Sequence, residues 1–283
     1  MLPTPALVAH LHVVPVPAAA TASALPRASS QLHRLHPLRS PARRHLAVTA
    51  AVSADHGPGM SSSAASVAAA AARSGVAYSL GRVLYLSLTN RTNARSIVDT
   101  RGPSFAMPAS SGFRPLLPGL EHEPLPEELA AVVDACYENM DIVGMGENDP
   151  GVVFGGAGEP LLRLETITAT MEAVRASRHG VPFRISTNGL FPASVAAALA
   201  AARVGRVTVA LATADPRQYE ALMQPEAGSG GHAAVCGFVV NLVEAGVEVE
   251  CTVVKAPGVD VTAARQLAEA LGAVEFRARE FFE

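Results

Sequence analysis

Hydrophobic positions after residue 82 fall into short runs that are separated by longer amphipathic stretches. Six runs rich in β-prone residues predict strands at residues 83–88, 151–154, 182–186, 206–212, 247–254 and 273–276. The intervening stretches carry apolar residues at i, i+3 and i+4, and they predict helices at residues 127–140, 161–179, 193–202, 233–245 and 261–271. Strands that alternate with helices in this way predict an α/β domain with a parallel sheet.

Glycines support the predicted boundaries of these elements. Gly180, Gly205, Gly246 and Gly272 stand where a helix should end before the next strand, which is the usual position of a C-cap glycine. Six strand–helix units over residues 82–283 can form either a partial barrel or an open doubly wound sheet. In both architectures the functional site lies at the carboxyl ends of the strands.

The first 54 residues differ in composition from the rest of the chain. They contain five arginines and no acidic residue, and Asp55 is the first acid. An acid-free segment with arginine and serine but no compact apolar core is typical of an organelle transit peptide. The small residues at 48–54 and the many prolines favour a chloroplast over a mitochondrion. Residues 55–81, rich in Gly, Ser and Ala, predict a flexible linker after this disordered N-terminal segment.

Composition excludes several classes of protein. The chain is 49% hydrophobic and 17% charged, which excludes bulk disorder, and no continuous apolar stretch predicts a transmembrane helix. Its net charge is −3, and it changes to −8 when residues 1–54 and their five arginines are removed. An acidic mature protein argues against nucleic-acid binding. Cys136, Cys236 and Cys251 fit neither a disulfide framework nor a CxxC metal site, so reduced thiols are expected.

Polar residues follow the first three predicted strands. The first strand leads into a segment at 89–99 with arginines, Thr92, Ser96 and Asp99, and the second leads into a glycine-rich turn at 155–160 that carries Glu159. The third strand ends in Ser-Thr-Asn-Gly at 186–189, which suits a ribose or another small polar ligand. Each segment alone is also explained by turns and helix caps, but three in succession indicate a ligand site.

These motifs resemble the radical S-adenosylmethionine (radical SAM) superfamily. The resemblance rests on Leu-Thr-Asn-Arg-x-Asn-x-Arg at 88–95, Gly-Glu-Pro-Leu at 158–161 and Ser-Thr-Asn-Gly at 186–189. It implies a partial (β/α)6, TIM-like barrel over residues 82–283. Two longer segments, Phe-Gly-Gly-x-Gly-Glu-Pro-Leu-Leu-Arg at 154–163 and Val-Ala-Leu-x-Thr-Ala-Asp-Pro-x-x-Tyr at 209–219, resemble most the group named for its association with TatD nucleases.

The chain departs from this family at the cluster motif. Family members hold a four-iron four-sulfur cluster with three cysteines at C-x3-C-x2-C spacing, and the resemblance aligns these positions with Thr92, Ser96 and Asp99. Hydroxyl and carboxylate oxygens are poor substitutes for thiolates on iron. The remaining three cysteines fall in other predicted elements. We therefore expect no iron–sulfur cluster and no ordinary radical chemistry.

The resemblance also implies a binding site for S-adenosylmethionine. Ala157, Gly158 and Glu159 would face its methionine amino group, and Ser186, Thr187 and Asn188 its ribose. The leading hypothesis is a radical SAM-fold protein that has lost its cluster ligands and retains the binding of S-adenosylmethionine or a nucleoside-like ligand. A TatD-type nuclease partner is implied by the resemblance alone.

Two alternative functions stay open. One is a redox-neutral enzyme at the barrel mouth, with Asp99 or Glu159 as general acid or base and a Schiff base at Lys255 as a variant. Arg91, Arg95 and Arg101 would bind its polar substrate. A hard-metal version would place Mg²⁺ between Asp99 and Glu159. The other alternative is a non-catalytic scaffold for a partner protein. The sequence assigns no catalytic residue, substrate or oligomeric state.

Overall fold

The computed structural model of the protein describes residues 61–118, 123–138 and 149–283. The predicted transit peptide at 1–54 lies outside the described residues, as does the first part of the predicted linker, residues 55–60. Every predicted strand falls within the described ranges.

The described residues contain a seven-stranded sheet whose strands are neighbours in chain order. The strands are β1 (Ala77–Leu80), β2 (Val83–Leu86), β3 (Val152–Phe154), β4 (Phe183–Thr187), β5 (Arg206–Ala210), β6 (Glu248–Val254) and β7 (Glu275–Arg279). β1 pairs antiparallel with β2, and all later neighbours are parallel. The α/β class and the mostly parallel sheet are thus confirmed, whereas the partial barrel stays a prediction.

Seven helices accompany the sheet in the described ranges. They are α1 (Ser61–Ser74), α2 (Pro126–Glu138), α3 (Leu164–Ser177), α4 (Ala193–Ala201), α5 (Pro216–Met223), α6 (Gly231–Glu244) and α7 (Val261–Ala270). The five predicted helices are all present. The sequence prediction omitted α5, although Asp215 caps its first turn by accepting from the Arg217 and Gln218 amides. Within the described part of the chain, no helix combines the length and apolar character needed to cross a membrane.

The predicted flexible linker is wrong for the described part of residues 55–81. Residues 61–74 form α1, and residues 77–80 form β1 at the edge of the sheet. The helix forms because the segment is rich in alanine, which has the highest helix propensity, and Ala68 and Ala71 are buried. The strand is held by its antiparallel register with β2, for example Tyr78 opposite Tyr85. Small residues here build a packed helix.

The two faces of the sheet differ in chemistry. The face toward the helices is apolar and almost fully buried, with Leu84, Leu86, Phe154, Phe183, Ile185, Val207, Val209, Val249, Cys251 and Val253. The alternate positions point to the opposite, inner face because successive side chains of a strand alternate. On β4 to β7 these inner positions are largely polar or charged. The hydrophobic core therefore lies between the sheet and its helices.

A strap at residues 97–107 lies over the inner face. It contains a 3₁₀ turn at Asp99–Arg101, and its backbone is tied to the segment after β7. The Phe282 amide donates to the Arg101 carbonyl at 2.8 Å, and the Ser104 amide donates to the Phe282 carbonyl at 3.3 Å. Gly102 has φ +105°, and a side chain there would collide with the Phe282 carbonyl. These contacts fix the strap above the ends of the strands.

Candidate functional site

A cavity of about 160 Å³ lies between the inner face of the sheet and the strap. The side chains from β2 to β7 that line it are Tyr85, Val153, Arg184, Ser186, Thr208, Glu250, Arg277 and Arg279. Ile97, Arg101 and Phe105 line it from the strap, and Gly155, Gly156 and Gly158 line it from the turn after β3. All these strands thus contribute to a single cavity.

Glu159 is buried beside this cavity and is used internally. It precedes a 3₁₀ turn at Pro160–Arg163, and its Oε1 accepts from the Leu161 amide at 3.0 Å and from the Thr187 hydroxyl at 2.8 Å. Its Oε2 accepts from the Asn188 amide at 2.8 Å. The residue is 2% exposed. The carboxylate therefore joins the turn after β3 to the end of β4.

The environment of Glu159 sets its protonation. Burial raises its pKa from 4.5 to about 7, and the three hydrogen bonds to the carboxylate oppose that rise without cancelling it. A proton on this group is therefore exchanged near neutral pH. Because the side chain is enclosed and Glu159 is not among the cavity-lining residues, its protonation should affect the stability of the loops.

Thr187 and Asn188 belong to the same internal network. The Thr187 hydroxyl accepts from the Gly189 amide at 3.0 Å. Asn188 Nδ2 donates to Asn93 Oδ1 at 2.7 Å, while its Oδ1 accepts from the Leu190 amide at 3.0 Å. Thr187 is 0% and Asn188 1% exposed. Of the Ser-Thr-Asn segment, only Ser186 points into the cavity, as strand alternation requires.

Gly158 and Ala157 connect the turn after β3 to the segment after β2. A Cβ atom at Gly158 would collide with the Thr89 carbonyl oxygen and would lie 2.5 Å from that of Arg91. The Ala157 carbonyl accepts from the Ser96 hydroxyl at 2.7 Å. Because glycine has no Cβ atom, another group can approach its backbone closely. Gly158 does line the cavity, but its close approach is to the chain itself.

Thr92, Ser96 and Asp99, which the sequence resemblance places at cluster positions, carry side-chain oxygen atoms. The Thr92 hydroxyl donates to the Ala94 carbonyl at 2.8 Å, Ser96 donates to Ala157, and Asp99 is exposed at the start of the strap's 3₁₀ turn. Thiolates are the usual protein ligands of a four-iron four-sulfur cluster, and this set of oxygen donors without a thiolate does not fit it. Within the described ranges, no group of three or more His, Cys, Asp or Glu side chains is placed to hold a metal ion.

The cysteines lie in separate elements. Cys136 is in α2, Cys236 in α6 and Cys251 in β6, and all three are free thiols. Burial raises the pKa of the Cys136 and Cys251 thiols to about 11 and about 12. Thiols that stay protonated at neutral pH behave as small apolar groups.

The residues of the redox-neutral alternative are not brought together. Arg91 is exposed and pairs with Glu123 at 3.0 Å, and Lys255 is 46% exposed and pairs with Glu280. Asp99 and Arg95 are exposed, and Glu159 is enclosed. From that set, Arg101 lines the cavity.

Sequence reasoning missed the cavity-lining charges within the strands, which are Arg184, Glu250, Arg277 and Arg279. A signal for them was present. Parallel strands covered on both faces are apolar throughout, whereas β4 to β7 alternate polar and apolar residues. Such alternation in a parallel sheet indicates that one face lines a cavity. We call Arg101, Arg184, Arg277 and Arg279 the arginine group.

No protein-family model matches the sequence, and no curated protein matches it. Solved structures do match, and they are radical SAM enzymes. Streptococcus suis SuiB bound to its precursor peptide SuiA is 13% identical, with 77% of this chain covered, 43% of SuiB covered and a TM-score of 0.52. SuiB bound to S-adenosylmethionine has the same identity and coverage, with a TM-score of 0.51. A radical SAM methyltransferase from Sphaerobacter thermophilus is 17% identical, covering 70% of this chain and 55% of the methyltransferase, with a TM-score of 0.46.

These likenesses concern the fold. The chain has the α/β fold of radical SAM enzymes, and it spans less than half the length of the SuiB structures it matches.

Proposed function

We propose that this protein is a radical SAM-fold protein of the TatD-associated group that has lost its cluster ligands and binds a small ligand without radical chemistry. The observation that carries the proposal is the donor set at the cluster positions, Thr92, Ser96 and Asp99. The Ser96 hydroxyl serves a second purpose there, because it joins two loops through the Ala157 carbonyl. An oxygen that holds loops together can persist after cluster chemistry is lost.

The ligand in this proposal is S-adenosylmethionine or a related nucleoside. The backbone of Gly155, Gly156 and Gly158 and the hydroxyl of Ser186 line the cavity and supply polar groups for it. Glu159, Thr187 and Asn188 support these groups from beneath through their mutual hydrogen bonds. In this arrangement the motif residues shape the site, and Ser186 is the side chain among them that contacts the ligand.

Two measurements on anaerobically purified protein test the proposal. Iron and sulfide analysis after reconstitution should find no cluster, and calorimetry should detect binding of S-adenosylmethionine, S-adenosylhomocysteine or adenosine. Ser186→Ala should weaken adenosine binding, and Ser177→Ala, on the distant α3, serves as the matched control. Stoichiometric iron with absorbance near 400 nm would refute the loss of the cluster. Absence of binding by all three compounds would refute the ligand.

A gain-of-function variant sharpens the same point. Thr92→Cys, Ser96→Cys and Asp99→Cys together restore three thiols at the family spacing. If the segment keeps its shape, reconstitution should then produce cluster absorbance that the parent lacks. A triple variant that is folded by circular dichroism but binds no iron would show that the loop itself, and not only its ligands, has diverged.

A redox-neutral reaction in the cavity is the second candidate, and the buried Glu250 carboxylate among the arginine group favours it. Glu250→Gln, with turnover and ligand affinity measured together once a ligand is known, distinguishes this candidate from simple binding, since loss of turnover at unchanged affinity requires a catalytic role.

We also propose that residues 1–54 direct the protein into the chloroplast, on the strength of their acid-free, arginine-containing composition. A fluorescent reporter fused to residues 1–54 should accumulate in plastids. Mitochondrial fluorescence would correct the organelle, and cytosolic fluorescence would refute the targeting role.

A further inference from the structure

The cavity carries an excess of positive charge. Within the described ranges, the formally charged side chains that line it are Arg101, Arg184, Arg277, Arg279 and Glu250. Glu250 is almost fully buried, and its carboxylate pairs with Arg277 at 2.8 Å and accepts from the Thr208 hydroxyl at 3.0 Å. This one carboxylate is therefore committed to Arg277 and β5, and it leaves the other three arginines without a counter-ion in the cavity.

Arg279 and Arg184 retain free donors. Among the described residues, the Arg279 guanidinium makes no hydrogen bond and no ion pair, although it lines the cavity. Arg184 donates one bond, to the Pro150 carbonyl at 3.0 Å, and its Nε is buried without a partner in the described part of the chain. Guanidinium N–H groups are strong donors with a planar fork that matches carboxylate and phosphate oxygens.

Arg101 faces Arg279 from the strap. Its Nε donates to the Glu280 backbone carbonyl at 2.9 Å, and its guanidinium lies over the Phe105 ring, 4.4 Å from the centroid. Burial first and the charge of Arg279 second lower the pKa of Arg101, while the charge of Glu280 opposes this shift, so the two guanidinium groups repel each other and Glu280 offsets part of that repulsion. Both arginines also line a second cavity of about 30 Å³ at the ends of β5 and β6. The repelling pair thus stands where the two cavities meet.

We propose that Arg279 and Arg101 bind a small oxyanion, a phosphate or carboxylate group, with Arg184 as a third donor from the sheet. An anion between them would relieve their repulsion and satisfy donor atoms that the fold leaves unpaired. The contacts of Arg101 with Glu280 and Phe105 hold one side of the site in place. The inference rests on the proposed function in so far as both use the same cavity, but it depends on different residues.

Titration of the full 283-residue chain with inorganic phosphate and with acetate tests the site. Sodium chloride at equal ionic strength is the reference in each case. At least one of the two oxyanions should bind, and Arg279→Gln should weaken that binding at least 10-fold. The preference between phosphate and acetate identifies the group. Arg82→Gln removes the same charge from an exposed position outside the cavity and should change the affinity less than 2-fold.

Stability measurements keep the test informative. Because Arg279→Gln removes a repulsion, the variant should unfold at the same or a higher denaturant concentration than the parent, and phosphate or acetate should stabilise only the parent. If Arg279→Gln proves unfolded, Arg279→Lys replaces it, which keeps the charge, removes the fork and should still weaken binding.

The inference fails if neither oxyanion binds the parent, if Arg279→Gln binds as tightly as the parent, or if Arg82→Gln loses as much affinity. Adenosine, which carries no charge, separates this failure from that of the proposed function. Phosphate binding without adenosine binding would overturn the nucleoside proposal and leave the oxyanion site. Adenosine binding without binding of phosphate or acetate would do the reverse.

Discussion

The loops that carry the recognisable motifs, residues 89–99, 155–160 and 186–189, differ from the arginine group across the cavity. In these motif loops, Glu159, Thr187 and Asn188 bond to one another's segments, and Asn93 completes the network. In the arginine group, Arg279 and Arg184 have donors that the described residues do not meet. One region is satisfied by the fold, and the other requires water or a ligand.

The residues of a sequence motif can hold loops together or bind a ligand, and this difference separates the two roles. A motif can persist because its residues hold loops together, and in that case its polar atoms are already used. The atoms available to a ligand are those that the fold leaves unpaired. A buried donor without a hydrogen-bond acceptor costs about 1–3 kcal/mol of stability, so we expect a fold to retain such a donor where water or a ligand accepts its hydrogen bond. The predictions below test whether the motif loops are structural and the arginine group is not.

Gly158→Ala should have the largest effect. Its Cβ would collide with backbone atoms of residues 89–91, which cannot move as a flexible side chain could. We expect the free energy of unfolding to fall by about 3 kcal/mol, as for an overpacked core. Gly237→Ala in α6, where a Cβ meets open space, is the matched control and should not destabilise. Equal stability of the two variants in urea would show that the motif loops are not tightly packed.

Glu159→Gln should change how stability depends on pH. The folded protein binds the Glu159 proton more tightly than the unfolded chain, because burial raises the pKa from 4.5 to about 7. The stabilisation is therefore complete below about pH 4.5 and is lost as the pH rises through about 7. Between about pH 5 and 7, the free energy of unfolding of the parent should fall by about 2 kcal/mol relative to the variant.

Urea denaturation at both pH values measures this slope. Glu172→Gln, an exposed carboxylate on α3, is the control and should keep the parental slope. If Glu159→Gln also keeps it, the pKa of Glu159 is not raised toward 7 in the folded protein, and the carboxylate is ionised throughout this pH range.

Asn93 and Asn188 allow a double-mutant cycle between two motif loops. Their amide contact at 2.7 Å joins the segment after β2 to the end of β4. Asn93→Ala, Asn188→Ala and the double variant should give a coupling free energy of about 1.5 kcal/mol, because residues in one hydrogen-bond network do not act independently. Coupling near zero would mean that these loops are held by other contacts.

The sequence predicted the framework of the fold well for a physical reason. Runs such as the one in β6 are apolar on the helix-facing side, and Gly246 and Gly272 follow the ends of α6 and α7 where a strand must follow. These are local patterns, and they place elements without knowledge of the tertiary structure. The alanine-rich α1 was missed because alanine alone has no amphipathic period, and its helix is stabilised by packing that is not visible locally.

The candidate site was predictable only in part. Motifs identified the loops that border the cavity, and Ser186 does line it. They could not show that the Glu159 carboxylate accepts hydrogen bonds at the end of β4, since Thr187 and Asn188 are 28 and 29 positions away. Nor could the motifs show that Arg101 lies near Arg279. The two residues are far apart in the sequence, and the strap brings them together in the fold. Tertiary contacts between distant segments decide which polar atoms stay free.

Ser96→Ala should have the smallest effect, and it tests the boundary between the two regions. The Ser96 hydroxyl joins the motif loops through the Ala157 carbonyl, but the residue is partly exposed, so water can replace the lost bond. We expect a loss of about 0.5 kcal/mol in the free energy of unfolding, at the low end for a neutral hydrogen bond. Ser66→Ala, which removes an exposed bond within α1, should be neutral or slightly stabilising. Phosphate affinity should stay unchanged in both variants, because neither serine lines the cavity. A weakened phosphate affinity in Ser96→Ala would show that the motif loops and the arginine group act as one site.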